Sequence, residues 1–246
     1  MSVPCNIFDV GNSRMEFVRF GKTGVVENFL FARSADAFPP AVSEHLLDGE
    51  NLVLSVNPAA GNLLISEIER IGARPKALTT ADFSSALAID YDVLSLGVDR
   101  IASAFASIHL GEKSPLKIVV DVGTAVTVDV VHNSSFTGGV ILPGWRVVSH
   151  SLSDSCALLP ELEDIYSGRP FGKRTDECIR AGIRNSLVGG ITRSIEDIQE
   201  AIGEEAEIFL TGGDANLIFR YLPAGTRYYR FLVHLGAYIL FLGGYL

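Results

Sequence analysis

Two short stretches of this chain are nearly alike, and they stand 112 residues apart in a chain of 246. Asp9-Val10-Gly11-Asn12-Ser13 and Asp121-Val122-Gly123-Thr124-Ala125 each follow one apolar run and precede another. Each reads as strand, tight turn, strand. A hairpin with the same flanks in both halves is what a duplicated supersecondary unit leaves behind. The pattern predicts two similar α/β halves, each opening with a β-hairpin. They should meet near Gly111-Glu112-Lys113-Ser114-Pro115, where Gly, charge and Pro break the apolar periodicity. The expected domains are therefore 1–112 and 113–246.

The rest of the chain fits this frame. In the first half, strands are expected at Val25–Phe31 and Asn51–Val56, and helices at Ala35–Leu47, Ala59–Ile71 and 97–110. Leu63, Leu64, Ile68 and Ile71 recur at helical spacing, as do Ile101 and Phe105. In the second half, Leu116–Asp121 is a β-branched run suited to a central strand. Strands at Val126–Val131, Ser135–Leu142 and Glu207–Leu210 follow. Ile179, Ile183, Leu187, Ile191, Ile195, Ile198 and Ile202 predict either one long helix or two broken at Gly189-Gly190. A last helix is expected from about Phe231.

Composition excludes several classes. The mean hydropathy of +0.29 is high. Yet the most apolar stretch, Phe231–Leu246, holds His234 and three glycines and is shorter than the roughly 20 residues a span needs. It reads as a buried helix and tail. The N-terminus lacks the cationic start and long apolar run of a signal peptide, so the expected compartment is the cytoplasm. A net charge of −9 and no basic run disfavour nucleic-acid binding. Three scattered cysteines and five scattered histidines give neither a disulfide framework nor a zinc site.

Each motif admits a bland reading and a chemical one. Gly11 lets a backbone approach a ligand closely, and amides at such a turn can cradle phosphate oxygens. Asn12 and Ser13 add neutral donors and Arg14 adds charge, while Asp9 can hold a hydrated divalent cation that bridges phosphates. The same residues also make an ordinary hairpin. Asp121 ends an apolar strand, where a carboxylate needs a cation, amides or an arginine as partner, unless it caps its own turn. Thr211-Gly212-Gly213-Asp214 follows a strand and offers room for an adenine or ribose, or is a plain turn. Gly97-Val98-Asp99-Arg100 opens a helix. There Asp99 is either a cap or a general base, and Arg100 can clamp a carboxylate in bidentate fashion.

Two Asp-Gly hairpins with a late Gly-Gly loop resemble the nucleotide cleft of the actin-like ATPase, acetate and sugar kinase superfamily. That resemblance implies an α/β fold of two RNase H-like domains in tandem, closing on ATP. Six ordered motifs then resemble the type III pantothenate kinase family: DVGNS (Asp9–Ser13), GVDR (Gly97–Arg100), DVGTAVT (Asp121–Thr127), GGVILPG (Gly138–Gly144), GKRTDECIRAGI (Gly172–Ile183) and LTGGDA (Leu210–Ala215). The resemblance implies phosphorylation of pantothenate, the first step of coenzyme A synthesis, in a homodimer. It makes Asp9, Val10, Gly11, Asn12, Ser13, Arg14, Met15 and Glu16 the first ATP-binding segment, with Thr124 a further ATP contact. It places pantothenate against Gly97, Val98, Asp99, Arg100 and Thr175, with Asp99 the proton acceptor and Arg100 on the pantothenate carboxylate. It sets Asp121 at a monovalent cation, K⁺ or NH₄⁺, in addition to Mg²⁺. Thr175 equally suits the N-cap of the long helix. Tyr91 is either a wall of the pantothenate site or simple packing.

The chain also departs from the family. Asp92-Val93-Leu94-Ser95 stands where many relatives carry Asn-Pro, Arg174 where Asn is frequent, and Glu16 where several have Lys. Two rival readings remain at this stage: a kinase of another small hydroxy acid, and a catalytically silent regulatory relative.

Overall fold

The structure is a computed structural model. It describes residues 4–21, 24–32, 38–112, 114–165 and 169–245. In chain order its regular elements begin with β1 (Cys5–Val10), β2 (Arg14–Gly21), β3 (Gly24–Ala32), α1 (Pro40–Leu47), β4 (Glu50–Ser55), α2 (Pro58–Arg70), β5 (Pro75–Leu78), α3 (Thr80–Ser84), β6 (Ala88–Ile89) and α4 (Val98–Leu110). Then come β7 (Leu116–Val122), β8 (Ala125–His132), β9 (Ser135–Pro143), α5 (Trp145–Ser155), α6 (Thr175–Ile202), β10 (Glu207–Thr211), β11 (Arg227–Tyr228) and α7 (Leu232–Leu242). Two compact units result, one of Met1–Leu110 with Phe231–Leu246, the other of Gly111–Arg230.

In the first unit the strand order is β3-β2-β1-β4-β5. β1 is antiparallel to β2 and parallel to β4. Five of its six residues are buried, as a central strand requires. On one face Phe8, Val10 and Phe17 pack with Val42 and Leu46 of α1 and Leu64 and Ile68 of α2. α7 packs against β1 and, over a long contact, against α4. Leu232, Val233, Ala237 and Leu240 are all buried. A helix apolar on every side cannot remain at a surface, and α4 receives it because Gly236 faces the Ala102 backbone with no side chain between them.

The sequence expectation put 113–246 together. The contacts instead assign Phe231–Leu246 to the N-terminal unit. The duplicated motif marks where each half begins and carries no information on where the chain's last helix docks.

In the second unit the order is β11-β10-β7-β8-β9. This is the order of the first unit with corresponding strands in corresponding places: an antiparallel hairpin and third strand on one side, parallel strands on the other. The core sets Ile118, Val120, Val126, Val128 and Leu210 of the sheet against Trp145 of α5 and Ile183, Leu187, Ile191 and Ile195 of α6. α6 runs unbroken for 28 residues. Gly190 lies close against Leu142, so that glycine serves packing and not a break.

Sequence periodicity missed β5, α3, β6, α5 and β11. Four of these are five residues or fewer, too short to show a period. α1 begins at Pro40, and residues 35–37, the start of the expected helix, lie outside the described residues. Among the described residues no helix is long and apolar enough to cross a membrane.

Candidate active site

In the first unit, the Gly11 amide donates to the Arg14 carbonyl at 3.0 Å and closes the turn between β1 and β2. Val10 and Met15 are directly paired and buried, so they anchor the turn, while Asn12 and Ser13 at its tip are exposed and Arg14 is half-buried. Asp9 pairs with Glu16 across the hairpin. Cross-strand partners share one face of a sheet, and like charges there disfavour the pair unless a cation lies near. Among the described residues no three His, Cys, Asp or Glu side chains converge on a metal position. A divalent ion at Asp9 would thus keep water and phosphate as most of its ligands, which is how Mg²⁺ binds beside nucleotides. The residues fit that ion. On the far side of Glu16, buried His234 of α7 lies 3.2 Å from its carbonyl. Burial lowers the His234 pKa to about 4, so the neutral ring donates.

The start of α4 is gathered to the same strand ends. The Val56 amide, just past β4, donates to the Val10 carbonyl at 3.1 Å. A Cβ at position 97 would meet Val56 Cγ1 at 3.4 Å, and it would overlap the Asp99 carboxylate. Gly97 is thus the residue that lets Asp99 fold back over the helix start. Asp99 Oδ1 accepts the Arg100 amide at 2.8 Å. Desolvation raises the Asp99 pKa, and the Arg100 amide and guanidinium offset only part of that rise. Val98 is buried. The Arg100 side chain is buried too, its guanidinium carbon 5.6 Å from the Tyr91 ring centre. Tyr91 itself stays exposed, and beside it stand exposed Val93 and Leu94, the latter 98 % exposed.

In the second unit, three glycine-bearing loops converge at one end of the parallel strands β7 and β10. The Gly123 amide donates to the Ala125 carbonyl, and the Gly144 amide to the Thr124 carbonyl, each at 3.0 Å. A Cβ on Gly144 would overlap the Gly123 and Thr124 carbonyls, so the GGVILPG motif ends in a glycine that seats α5 on the turn. Gly212, at φ +100°, lies against the Asp121 carboxylate and the Val122 backbone. The Asp214 amide donates to the Val122 carbonyl at 2.9 Å. Its buried carboxylate oxygen Oδ2 accepts Trp145 Nε1 at 3.1 Å and Arg146 at 2.5 Å. Asp121 is half-buried and Thr124 is exposed at the turn. Open α/β sheets bind ligands at the carboxyl ends of their strands, and exposed amides of tight turns are suited to phosphate.

Thr175 stands on another element, the exposed first turn of α6. It is not the N-cap. Arg174 holds that position, and the Glu177 carboxylate accepts the Lys173 amide at 2.9 Å. The trio Trp145, Arg146 and Asp214 is new relative to the sequence reading. Its only sequence signal is that Trp-Arg directly follows GGVILPG, whose meaning depends on a contact 68 residues away.

This repeated strand order, with glycine turns at strand ends, is that of the actin-like ATPase and sugar-kinase fold. A Baf-family protein from Campylobacter jejuni is similar to this chain with a TM-score of 0.61 at 20% identity, covering 97% of this chain and 98% of its own. Glucokinase from an Antarctic psychrotroph is similar with a TM-score of 0.53 at 10% identity, covering 99% and 100%. At such identities the likeness is one of fold. Sequence goes further. The type III pantothenate kinase family model matches residues 7–197. The type III pantothenate kinase of Alkalilimnicola ehrlichii is 32% identical over 236 residues, 89% of this chain and 90% of that protein. That of Porphyromonas gingivalis is 30% identical over 237 residues, 94% of each. The chain belongs to the type III pantothenate kinase family.

Proposed function

We propose that this chain transfers the γ-phosphoryl group of ATP to the primary hydroxyl of pantothenate, giving 4′-phosphopantothenate and ADP. The observation that carries the reading is Asp99: a desolvated carboxylate with raised proton affinity, at a helix start beside the first glycine turn and followed by a buried arginine. A kinase aspartate orients the acceptor hydroxyl and takes its proton as the new P–O bond forms and the bond to ADP breaks. Arg100 binds the pantothenate carboxylate, and the Gly97–Val98 backbone and Thr175 contact the rest of that substrate. Asn12, Ser13 and Arg14 contact phosphate oxygens, while Gly11, its own amide held by the Arg14 carbonyl, leaves room for their close approach, on a turn whose position Val10 and Met15 fix by burial. Thr124 is a further ATP contact.

Mg²⁺ at Asp9 supplies charge neutralisation for the phosphates when bound. Glu16, opposite Asp9, adds negative charge to that position. A monovalent cation, K⁺ or NH₄⁺, sits at Asp121. The exposed Tyr91, Val93 and Leu94 support a homodimer, since an apolar strip of this kind is normally covered. The protein works in the cytoplasm, with neither nucleic acid nor membrane as partner.

An assay with pantothenate and MgATP, run with and without K⁺, tests this reading. Pantothenate-dependent ADP release, higher with K⁺, is expected. No turnover in either condition would reject it, and turnover with other hydroxy acids but not pantothenate would reassign the substrate. Gly97→Ala offers a finer check. The added methyl displaces the Asp99 carboxylate, and misplacement by about 1 Å costs roughly 10²-fold in rate. We expect a fall in kcat near that size with the melting temperature little changed. A kcat equal to wild type would show that the position of Asp99 is immaterial.

A further inference from the structure

We propose that Arg146 recognises the nucleotide, its guanidinium forming the platform on which the purine base of ATP stacks. The proposal rests on the reading that the chain binds ATP with Thr124 of the second unit as one of its contacts.

Arg146 lies in the first turn of α5, two residues beyond the glycine seated on the Gly123–Thr124 turn. Its guanidinium carbon is 4.2 Å from the centre of the Trp145 ring. One edge donates to Asp214 Oδ2, the oxygen that also accepts the indole N–H. Half of the side chain remains exposed. A long cation is thus held flat by an aromatic face and a buried carboxylate, so little rotamer freedom is left to lose on binding.

Two features favour the base over the phosphates. The anchor is Asp214 in the Gly212-Gly213 loop, where small residues leave room for a flat group, and not the Thr124 turn that suits phosphate. Asp214 also neutralises the guanidinium, which weakens its pull on an anion and leaves its planar surface as the main thing it offers. Arginine planes stack on bases as they do on aromatic rings.

Trp145 is the single tryptophan of the chain, so its emission reports on this one place. The experiment titrates the full-length wild type, Arg146→Met and Arg146→Lys with MgADP and with inorganic tripolyphosphate. Affinities are measured by calorimetry, and Trp145 emission is followed in parallel. Stacking at a partly exposed site predicts that both variants bind MgADP about tenfold more weakly. Tripolyphosphate affinity should be unchanged. The KM for ATP rises by the same factor, while kcat and the KM for pantothenate stay near wild type. Lysine keeps the charge but not the plane, so it should not rescue. Emission of the wild type should change on MgADP binding. Equal weakening of MgADP and tripolyphosphate would overturn the base assignment in favour of a phosphate contact. Unchanged MgADP affinity in both variants, or a Trp145 emission that ignores saturating MgADP, would overturn the proposal alone. A wild type that binds no MgADP by calorimetry would overturn the underlying reading as well.

Discussion

Asp99→Asn should cut kcat by about 10²–10⁴, the usual contribution of a positioned general base, and should at the same time make the protein more stable at pH 7. Both effects come from one environment. Burial raises the Asp99 pKa above that of a free carboxylate. An acid whose folded pKa lies above its unfolded value binds protons more tightly in the native state. It favours folding while protonated, and that stability is lost as pH rises through the raised pKa. Above the ordinary carboxylate pKa the wild type therefore folds at a cost, whether it holds the charge where burial disfavours it or takes up a proton to avoid that. Asparagine has nearly the same shape, still accepts the Arg100 amide, and carries no charge. The stability gain should shrink as pH falls below the raised pKa, because there the wild-type group is protonated too. Thermal melts of both proteins from pH 4 to 8 measure this, alongside kcat at saturating substrates. In the same range the wild-type kcat should fall on an acid limb lying above ordinary carboxylate values. Loss of activity with loss of stability would mean that Asp99 is a helix cap after all. Retained activity would remove it from the chemistry.

The cap and the base were indistinguishable in Gly97-Val98-Asp99-Arg100 as a string, and the reason is physical. Whether an aspartate at a helix start is a cap or a base depends on its solvation, and burial in the folded unit, which raises the Asp99 pKa, is not written in four consecutive residues. The hairpins were legible because their signal is local: β-branched runs and a glycine turn within a dozen residues. That the two halves would be alike was legible from the same signal, whereas their full strand order was not, because β5 and β11 are too short to show a period. The long helix was legible as a period, but its continuity through Gly189-Gly190 was not, since two glycines suit a break and a close contact alike, and it is Leu142, from a distant strand, that lies against Gly190. The Trp145–Arg146–Asp214 group was illegible for the same reason, being two residues of the first turn of α5 bonded to one residue of the Gly212-Gly213 loop. Thr175 was read either as cap or as contact. The structure removes the cap, since the helix begins one residue earlier than the motif suggests.

The docking of α7 was also out of reach from sequence, and it makes the second large prediction. A Cβ on Gly236 would overlap the Ala102 carbonyl. The obstacle is backbone, so no rotamer change relieves it, and α4 and α7 must move apart. Alanine gains about 1 kcal/mol over glycine in helix propensity, yet overpacking a core against backbone costs about 3 kcal/mol or more. The net expectation for Gly236→Ala is a loss of about 2 kcal/mol. Gly182→Ala on α6 is the matched control. Nothing lies within 4 Å of its added methyl, so the same substitution should stabilise by about 0.5–1 kcal/mol. Denaturant midpoints of the three proteins decide between these signs, with probes for each unit because two units need not unfold together. The functional consequence follows from what the two helices carry. α4 presents Asp99, and α7 holds the Glu16 carbonyl through His234. Parting them should therefore lower kcat and raise the KM for ATP together, whereas Gly182→Ala should alter neither. A Gly236→Ala protein as stable as wild type would show that the α4–α7 contact can yield without cost. The C-terminal helix would then not be what fixes the start of α4.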